Sequence, residues 1–471
     1  LELELATQMA ILEGFAPDER AGRILAELDI ADRVPLQIGD RTYSFPDFKL
    51  DKPAAYEGPL WRRERLKQLF PAESDGLDRY YRFYNRAMNL VTLNTRAELA
   101  RGPLKPWLKL RLWLAYNRVK EKEDWTAEKL MADFFVDPRL KAVFTSILAD
   151  FVTRPSRFPG LGIPVLNPEN AFDLRIPRRV STAGKRPSFH FIRGGCGKLV
   201  QAMATVIRQN GGRIYTNATI EKIRIDADRV KGVALAGGHT EDADIVIATG
   251  GARETFFKAV GREYLPAGLA YQVDELPLME SVLMVHLGVD VDPRPYQPEA
   301  LCYHYGTYDI EGGVESCLAG AYHEGHDGFV LYIPSYHSPE LAPEEHHAIT
   351  IYTIAPNELA TSTWQSRRRE VVRKLIAQAE AVIPNLRDHI RTQVVLTPED
   401  FQARVHQDHH AFGGRAPVMG TEGPGYNTPL HGLWFIGSQS KSGGGVQNVM
   451  FGARTAAREI MRESRQRRRR R

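Results

Sequence analysis

The chain contains 471 residues, of which 43% are hydrophobic and 25% are charged, a composition typical of globular proteins with room for two substantial domains. Its formal net charge of +4 becomes −2 without the arginine-rich end, 465–471, so no nucleic-acid groove is indicated in the folded body. No apolar run approaches the roughly 20 residues that span a bilayer. Cys196, Cys302 and Cys317 lack the spacing of a disulfide framework or a CxxC motif, which favours a reducing, cytoplasmic setting.

Helical patterns dominate residues 56–150. Apolar residues recur at helical spacing in 77–93 and again in 126–151. Asp137 followed by Pro138 is a typical helix start, with an N-cap residue and a proline in the first turn. This part of the chain is therefore predicted to be a helical layer.

An unusual segment, 103–120, lies within the helical region. It combines Trp107 and Trp113 with leucines, and it carries five cations and no acidic residue. A basic helix with tryptophans can lie in a membrane interface, where anionic lipid attracts its cations. The same sequence is also consistent with a core helix edged by charge or with a partner-binding surface, and both interpretations stay open.

From residue 188 the pattern changes to strands separated by helices. We predict a βαβ-like unit with a strand at 189–192, a glycine turn, and a helix that ends at Gly211 and Gly212. Further strands are predicted at 213–215, 218–225, 230–235 and 243–248. This order indicates a mixed α/β domain.

Residues 280–400 return to strand patterns, which a long helix at 363–383 interrupts. The predicted strands are 281–288, 329–334 and 348–354. This region predicts a sheet-based domain inserted between the βαβ-like unit and the C-terminal part of the chain.

The most informative stretch is 432–457, which predicts a strand, a glycine turn and the start of a helix. Residues 433–436 are apolar, 442–445 open the backbone, and 446–460 have helical periodicity. Glycines let a ligand approach the backbone, and the free N–H groups of a first helical turn attract anions. A pyrophosphate or an electron-rich flavin edge would fit, and an ordinary helix after a buried strand has the same pattern.

Several motifs occur in a fixed order along the chain: GGCG at 194–197, IVIATGG at 245–251, PSYHSPELAP at 334–343 and GSQSKSGGGV at 437–446. Together with FVDPRLKAVF at 135–144, they resemble the flavin-dependent phytoene-desaturase superfamily, which includes phytoene desaturases, carotenoid isomerases and retinol saturases. The similarity extends over nearly the whole chain. It implies an α/β, two-domain FAD-dependent oxidoreductase, with a glutathione-reductase-like flavin domain and a substrate domain of mixed sheet and helices.

The domain boundaries follow from this resemblance. Residues 1–184 and 262–427 are expected to form the substrate domain, with a helical, membrane-facing part at about 56–155 and a sheet part at about 262–427. Residues 185–261 and 428–464 are expected to form the FAD-binding domain, and 465–471 a basic tail. The strand and GxGxxG turn that begin the flavin domain in this group have no match here, and 11–35 resembles the portion that follows them. We therefore expect the natural protein to carry that unit ahead of Leu1.

The resemblance also implies residues that contact FAD: Ile220, Gly250, Gly437, Ser438, Gly444, Gly445, Val446 and Gln447. The backbone of Ile220 would face adenine, and Gly437 and Ser438 would lie near the ribityl-pyrophosphate. The last four residues would place N–H groups at the pyrimidine edge, where reduced flavin carries negative charge. Ser438 stands where amine-oxidase relatives have an acidic residue, so its ribityl contact departs from theirs.

A histidine-rich segment, 404–414, precedes the flavin motif. Because histidine titrates near neutral pH, we predict that His410 moves a proton during hydride exchange at flavin N5, with Gln447 as a second catalytic residue. A hydrated surface segment is the alternative. His409 and His410 are adjacent and lack the spacing of a chelating pair, so no metal site is predicted.

Two further interpretations concern polar residues outside the glycine motifs. His286 lies within an apolar strand and is interpreted as a hydrogen-bonded core histidine. Asp150, Arg154 and Arg157 follow a predicted helix, where the resemblance implies polar groups on the substrate side, but ordinary surface ion pairs are the expected role.

The function predicted from these features is oxidoreduction of a hydrophobic polyene or isoprenoid, a carotenoid- or retinoid-like molecule. Hydride transfer to or from flavin N5 would desaturate, saturate or isomerise it. No nucleic-acid partner is expected, and membrane contact through 103–120 remains open. The alternatives are a flavin amine-oxidase-like enzyme and a non-catalytic membrane-associated protein that has lost FAD.

Overall fold

The computed structural model describes residues 11–100, 102–179 and 187–470. Its α-helices are α1 Arg20–Glu27, α2 Trp61–Leu69, α3 Ser74–Leu99, α4 Leu104–Tyr116, α5 Ala127–Phe134, α6 Pro138–Thr145, α7 Ile163–Leu166, α8 Gly197–Gln209, α9 Ala267–Asp274, α10 Ile310–Leu318, α11 Trp364–Ala379, α12 Pro398–Val405 and α13 Val446–Arg470. Its strands are β1 Leu12–Glu13, β2 Leu36–Ile38, β3 Thr42–Ser44, β4 Phe189–Ile192, β5 Ile220–Asp226, β6 Arg229–Leu235, β7 Thr240–Asp242, β8 Val246–Ala248, β9 Ser281–Val289, β10 Leu301–Tyr305, β11 Gly328–Tyr332, β12 His347–Ala355, β13 Ile390–Leu396 and β14 Leu433–Phe435.

The described residues form two compact units. Unit 1 contains residues 11–13, 36–100, 102–179, 187–195 and 282–399, and unit 2 contains 14–35, 196–281 and 400–470. Both combine helices with sheet, so the predicted mixed α/β architecture is confirmed. The assignment of substrate and flavin domains to the boundaries given above stays a prediction.

Unit 1 is built on a six-stranded sheet with the order β13-β9-β12-β11-β10-β3. Its interior strand β9 is buried along almost its whole length, and Leu283, Val285 and Leu287 share one core with Trp364 and Leu375 of α11. The side chain of Thr363 accepts a hydrogen bond from the N–H of Ser366 at 3.2 Å and so caps the start of α11. The predicted helix at 363–383 is therefore confirmed at its N-terminal end, although it finishes at Ala379.

The helical part of unit 1 begins and ends where local signals place it. Asp137 accepts a hydrogen bond from the N–H of Arg139 at 2.8 Å, and Pro138 opens α6, which confirms the predicted helix start. The basic segment 103–120 contains α4, which packs through Leu108 and Ala115 on Leu93 of α3. None of the helices among the described residues combines the length and apolar content needed to cross a bilayer.

The strand at 189–192 forms as predicted, but its pairing differs from the predicted βαβ-like unit. β4 lies in the middle of an antiparallel sheet of three strands, between β1 and β2. The βαβ interpretation was wrong because both partners of β4 come from the first 40 residues, a pairing that local sequence does not encode. Beyond the strand, Gly194 has a φ of +74° and donates its N–H to Ser338 Oγ at 3.0 Å.

Unit 2 contains a parallel pair, β8 and β14, and a separate antiparallel sheet, β5-β6-β7. Phe256, Leu433 and Phe435 are fully buried in its core. The predicted strand at 213–215 does not form; that stretch is irregular, and its Tyr215 is exposed. α13 continues to Arg470, so most of the predicted basic tail is helical, and residue 471 lies outside the described residues.

Candidate flavin site in unit 2

The parallel pairing of β8 and β14 brings the two turns that follow them to one edge. The N–H of Ile436 donates to the carbonyl oxygen of Ala248 at 3.0 Å. At Gly437 the φ of +109° excludes most side chains, and a Cβ there would lie 3.2 Å from the carbonyl oxygen of Thr249. Gly437 and the turn containing Gly250 therefore lie side by side at the carboxyl ends of parallel strands, where α/β sheets bind their ligands.

Buried polar side chains hold these turns in place. Ser440 and Ser442 donate from their hydroxyl groups to the carbonyl oxygen of Gly437, at 2.7 and 3.0 Å. The side-chain oxygen of buried Gln439 accepts the N–H of Ala252 at 2.7 Å and so connects the turn after β14 to the turn after β8. Gln439 was not among the predicted site residues. Its position as a polar residue between an apolar strand and a glycine turn could have indicated this role.

The glycine turn before α13 allows unusually close backbone approach. Gly443 and Gly445 have φ values of +68° and +91°. The two glycines before α13 and the first two residues of the helix have open N–H groups. Among the described residues, no acceptor contacts the N–H groups of Gly444, Gly445, Val446 and Gln447. Open N–H groups at the positive end of a 25-residue helix are therefore a candidate anion site.

Arg415 adds a cation beside this turn. Its Nη2 lies 3.5 Å from the position of a Cβ on Gly443, and its Nη1 donates to the carbonyl oxygen of Thr421 at 3.0 Å. Its Nε is buried and has no partner among the described residues. Burial lowers the pKa of Arg415, and the charge of Glu422 opposes that shift. Arg415 was not among the predicted site residues, although it is the only lysine or arginine between 411 and 440.

Together these groups fit an anionic ligand such as a phosphate or the pyrimidine edge of a flavin. The open N–H groups, the unused Nε of Arg415 and the glycine backbone would supply donors and positive charge without side chains in the way. Ser438 is part of the same cluster, since its carbonyl oxygen accepts the N–H of Arg415 at 3.2 Å.

His410 lies in unit 2 in a half-buried and well-contacted position. Its Nδ1 is 2.7 Å from Ser281 Oγ, and its ring stacks on Phe401 with centroids 4.7 Å apart. Burial, together with the nearby His409, lowers the pKa of His410 to about 4, so the ring is neutral at pH 7. These contacts explain a packing role, and the catalytic role of His410 stays a prediction.

The remaining predicted site residues take different positions. Gln447 lies in the first turn of α13. Its side chain packs against Gly14 so closely that a Cβ at Gly14 would be 2.1 Å from Gln447 Oε1. Val446 is half-buried and begins the helix. Ile220 begins β5 in the separate antiparallel sheet and is 43% exposed. Their contacts with a cofactor stay predictions.

Unit 1 holds a second polar cluster. Arg41 is buried against the rings of Tyr43, Phe172 and Tyr303, at 5.1 to 5.8 Å from their centroids. Burial raises the pKa of nearby Asp150 to about 7, and the charge of Arg41 opposes this shift. The expectation of a surface ion pair for Asp150 was therefore wrong, because its charged neighbour is a buried arginine.

Two other polar expectations agree with the structure. Arg154 forms the expected surface ion pairs, with Glu315 and, at 3.7 Å, with Glu311. His286 is buried in β9, with its Nδ1 2.9 Å from Thr350 Oγ1, which confirms its interpretation as a core histidine.

Several known proteins are similar in sequence to more than half of this chain. A protein of Rattus norvegicus, pyridine nucleotide-disulfide oxidoreductase domain-containing protein 2, is 25% identical over 404 residues, covering 77% of this chain and 65% of the relative. Prolycopene isomerase 2 of an Oncidium hybrid is 25% identical over 411 residues, covering 82% of this chain and 63% of the relative. The lycopene-forming phytoene desaturase of Paracoccus is 22% identical over 286 residues, covering 59% and 56%. The chain therefore spans less than two thirds of the length of these relatives.

Solved structures share the fold. An oxidoreductase from Methanosarcina mazei superposes with a TM-score of 0.55 at 16% identity, covering 96% of this chain and 87% of that one. A putrescine oxidase variant superposes with a TM-score of 0.57 at 12% identity and the same coverage. At this level of identity the likeness establishes the flavoenzyme fold alone.

The family assignment rests on nearly the whole chain. Residues 21–461 match the family described as flavin containing amine oxidoreductase. The relatives named above confirm the resemblance to phytoene desaturases and carotenoid isomerases, and the cofactor that fits both the family and the site is FAD. The chain belongs to the flavin-containing amine oxidoreductase family.

Proposed function

We propose that this protein is an FAD-dependent oxidoreductase whose substrate is a hydrophobic polyene or isoprenoid of the carotenoid or retinoid type. The observation that carries the proposal is the open anion site at the start of α13, with Arg415 beside it. The substrate class is supported by relatives named as prolycopene isomerase and phytoene desaturase.

Different residues of the site would have different roles in cofactor binding. The N–H groups of Gly444 to Gln447 would bind anionic oxygen atoms, and the Arg415 guanidinium would balance negative charge near them. The Gln439 and Ser440 contacts would keep both turns rigid, which preserves the geometry that binding needs. Bound FAD would supply hydride transfer at an allylic carbon, so that a double bond is introduced, removed or isomerised.

Amine oxidation is the competing activity within the family. An amine oxidase would need an aromatic cage on the substrate side of the flavin. Trp434, the tryptophan next to the glycine motif, is buried in β14, with an isolated bridge to Asn427. This placement supports a core role for Trp434, so Trp434 does not supply such a cage.

The test uses the product of the natural gene, purified with FAD. Bound oxidised flavin should absorb at roughly 370 and 450 nm. Phytoene, prolycopene, retinol and putrescine are then mixed with it, anaerobically and in air, with oxidised and with chemically reduced flavin. Chromatography should show a polyene whose double bonds have changed. Turnover of putrescine with peroxide release, or no conversion of any polyene, would overturn the proposal.

A further inference from the structure

α4 in unit 1 buries one face and exposes the other. Leu108 and Ala115 pack on Leu93 and Ala97 of α3. The helix exposes five large apolar residues with exposed fractions of 48 to 58%: Leu104 at its first position, and Trp107, Leu110, Trp113 and Leu114 on the side opposite the buried residues. Single exposed apolar residues are ordinary on a protein surface. Two tryptophans and three leucines exposed on one short helix form a larger apolar patch, and such a patch marks an interaction site.

Cations border this apolar face on both sides. At about 100° per residue, Trp107, Leu110, Trp113 and Leu114 fall within an arc of about 120° opposite the buried face. Lys105 and Lys109 lie beyond one edge of the arc and Arg111 lies beyond the other, while Arg118 follows the end of the helix. Arg111 also stacks over Trp107, with its guanidinium carbon 4.9 Å from the ring centroid. An apolar stripe with cations on both sides is the pattern of a helix that lies in a lipid interface.

A cationic cleft adjoins the C-terminal end of α4. Its volume is about 190 Å³, and its lining residues are Arg79, Arg82, Phe83, Arg86, Arg118, Glu121, Lys122 and Phe134. Lys122 pairs with Asp133 at 2.9 Å, and Arg79 donates to the carbonyl oxygens of Asp133 and Phe134 at 3.2 Å. Arg86 and Arg118 form no ion pair with any described residue. Even with Glu121 in its wall, the cleft carries a surplus of positive charge that suits phosphate.

We propose that α4 and this arginine cleft dock the protein on an anionic membrane surface. The tryptophans and leucines of the exposed face would enter the headgroup region, and the cleft would take a lipid phosphate. A protein partner would need an acidic rim on both sides of an apolar groove, whereas an anionic bilayer offers negative charge above apolar chains over its whole surface. The proposal does not depend on the activity proposed above, since binding is measured without turnover.

The test is sedimentation of the FAD-loaded natural gene product with vesicles. One set is phosphatidylcholine alone, and the other contains about one third phosphatidylglycerol, which supplies the negative surface charge. The wild type should bind the anionic vesicles, and more weakly at high salt. Trp107→Ser with Trp113→Ser should weaken this binding about tenfold or more. Arg86→Glu with Arg118→Glu should abolish the preference for anionic over neutral vesicles.

Matched controls separate docking from general surface effects. Tyr271→Ser removes a ring that is 68% exposed on α9, and Arg373→Glu reverses an exposed charge on α11. Both should bind vesicles like the wild type. Circular dichroism and flavin absorbance identify any variant that fails to fold. A wild type that stays in the supernatant with both vesicle types, or a tryptophan variant that binds as well as the wild type, would show that this surface has another role.

Discussion

The carbonyl oxygen of Gly413 lies where a side chain on Gly444 would begin. A Cβ built on Gly444 would be 2.1 Å from that oxygen, closer than real side chains approach. The Gly413 segment and the glycine turn before α13 are therefore in backbone contact, and Gly444 must stay free of a side chain.

This contact predicts the effect of Gly444→Ala. The added methyl group would push the two backbones apart, at a cost of about 1 to 3 kcal/mol, and disturb the N–H groups that begin α13. We expect a lower free energy of unfolding and a purified protein with less FAD per chain, measured from the ratio of flavin to protein absorbance. Gly425→Ala is the control, because its Cβ would meet Asn427 at an ordinary 3.7 Å. Full FAD content in Gly444→Ala would contradict the prediction.

Removing the charge of Arg415 is expected to weaken cofactor binding. Arg415→Met keeps the length of the side chain but removes the positive charge beside Gly443. If the guanidinium balances flavin or phosphate charge, the Kd for FAD should rise about tenfold or more, as for other buried charge-assisted contacts. Titration of FAD into the deflavinated protein measures this. Arg404→Met, an exposed arginine on α12, should leave the Kd unchanged.

Acid sensitivity should report on His410. Its folded pKa of about 4 lies below the ordinary 6.5, so the unfolded chain takes up a proton first as the pH falls. The stabilising effect of the neutral ring is complete above pH 6.5 and is lost towards pH 4, by up to about 1.4 kcal/mol per pH unit. His410→Gln should therefore lose less stability than the wild type between pH 7.5 and pH 5, measured by urea unfolding.

The same variant separates packing from catalysis. If His410 also moves a proton in the reaction, His410→Gln should slow turnover by about 10²-fold at pH 7. Unchanged turnover together with a changed acid sensitivity would leave His410 as a packing residue.

Local signals predicted the elements better than their partners. The N-cap residues Thr363 and Asp137 begin helices as predicted, because a cap depends on residues within one turn. The pairing of β4 with β1 and β2 was not predictable in the same way, since it depends on contacts about 150 to 180 residues apart.

The candidate site shows the same division. The glycine turn before α13 was visible in the sequence because positive φ values strongly favour glycine. Arg415 and Gln439 were not, because their importance depends on which backbone atoms the fold brings next to them. The position of Asp150 beside Arg41 is likewise a product of tertiary packing, more than 100 residues apart in sequence.

Asp150 should give a pH dependence of the opposite sign to His410. Its folded pKa of about 7 lies above the ordinary 3.8, so the folded protein keeps a proton that the unfolded chain has already released. Stability from this group is complete at low pH and falls as the pH rises through 7. Asp150→Asn keeps the neutral form at every pH and should be more stable than the wild type at pH 8.5, with a smaller difference at pH 5. Urea unfolding at the two pH values measures this.

The control is Asp124→Asn, at an exposed position, which should show no such trend. If the effect of Asp150→Asn on stability is the same at both pH values, the carboxyl group of Asp150 is ionised throughout, which contradicts the prediction.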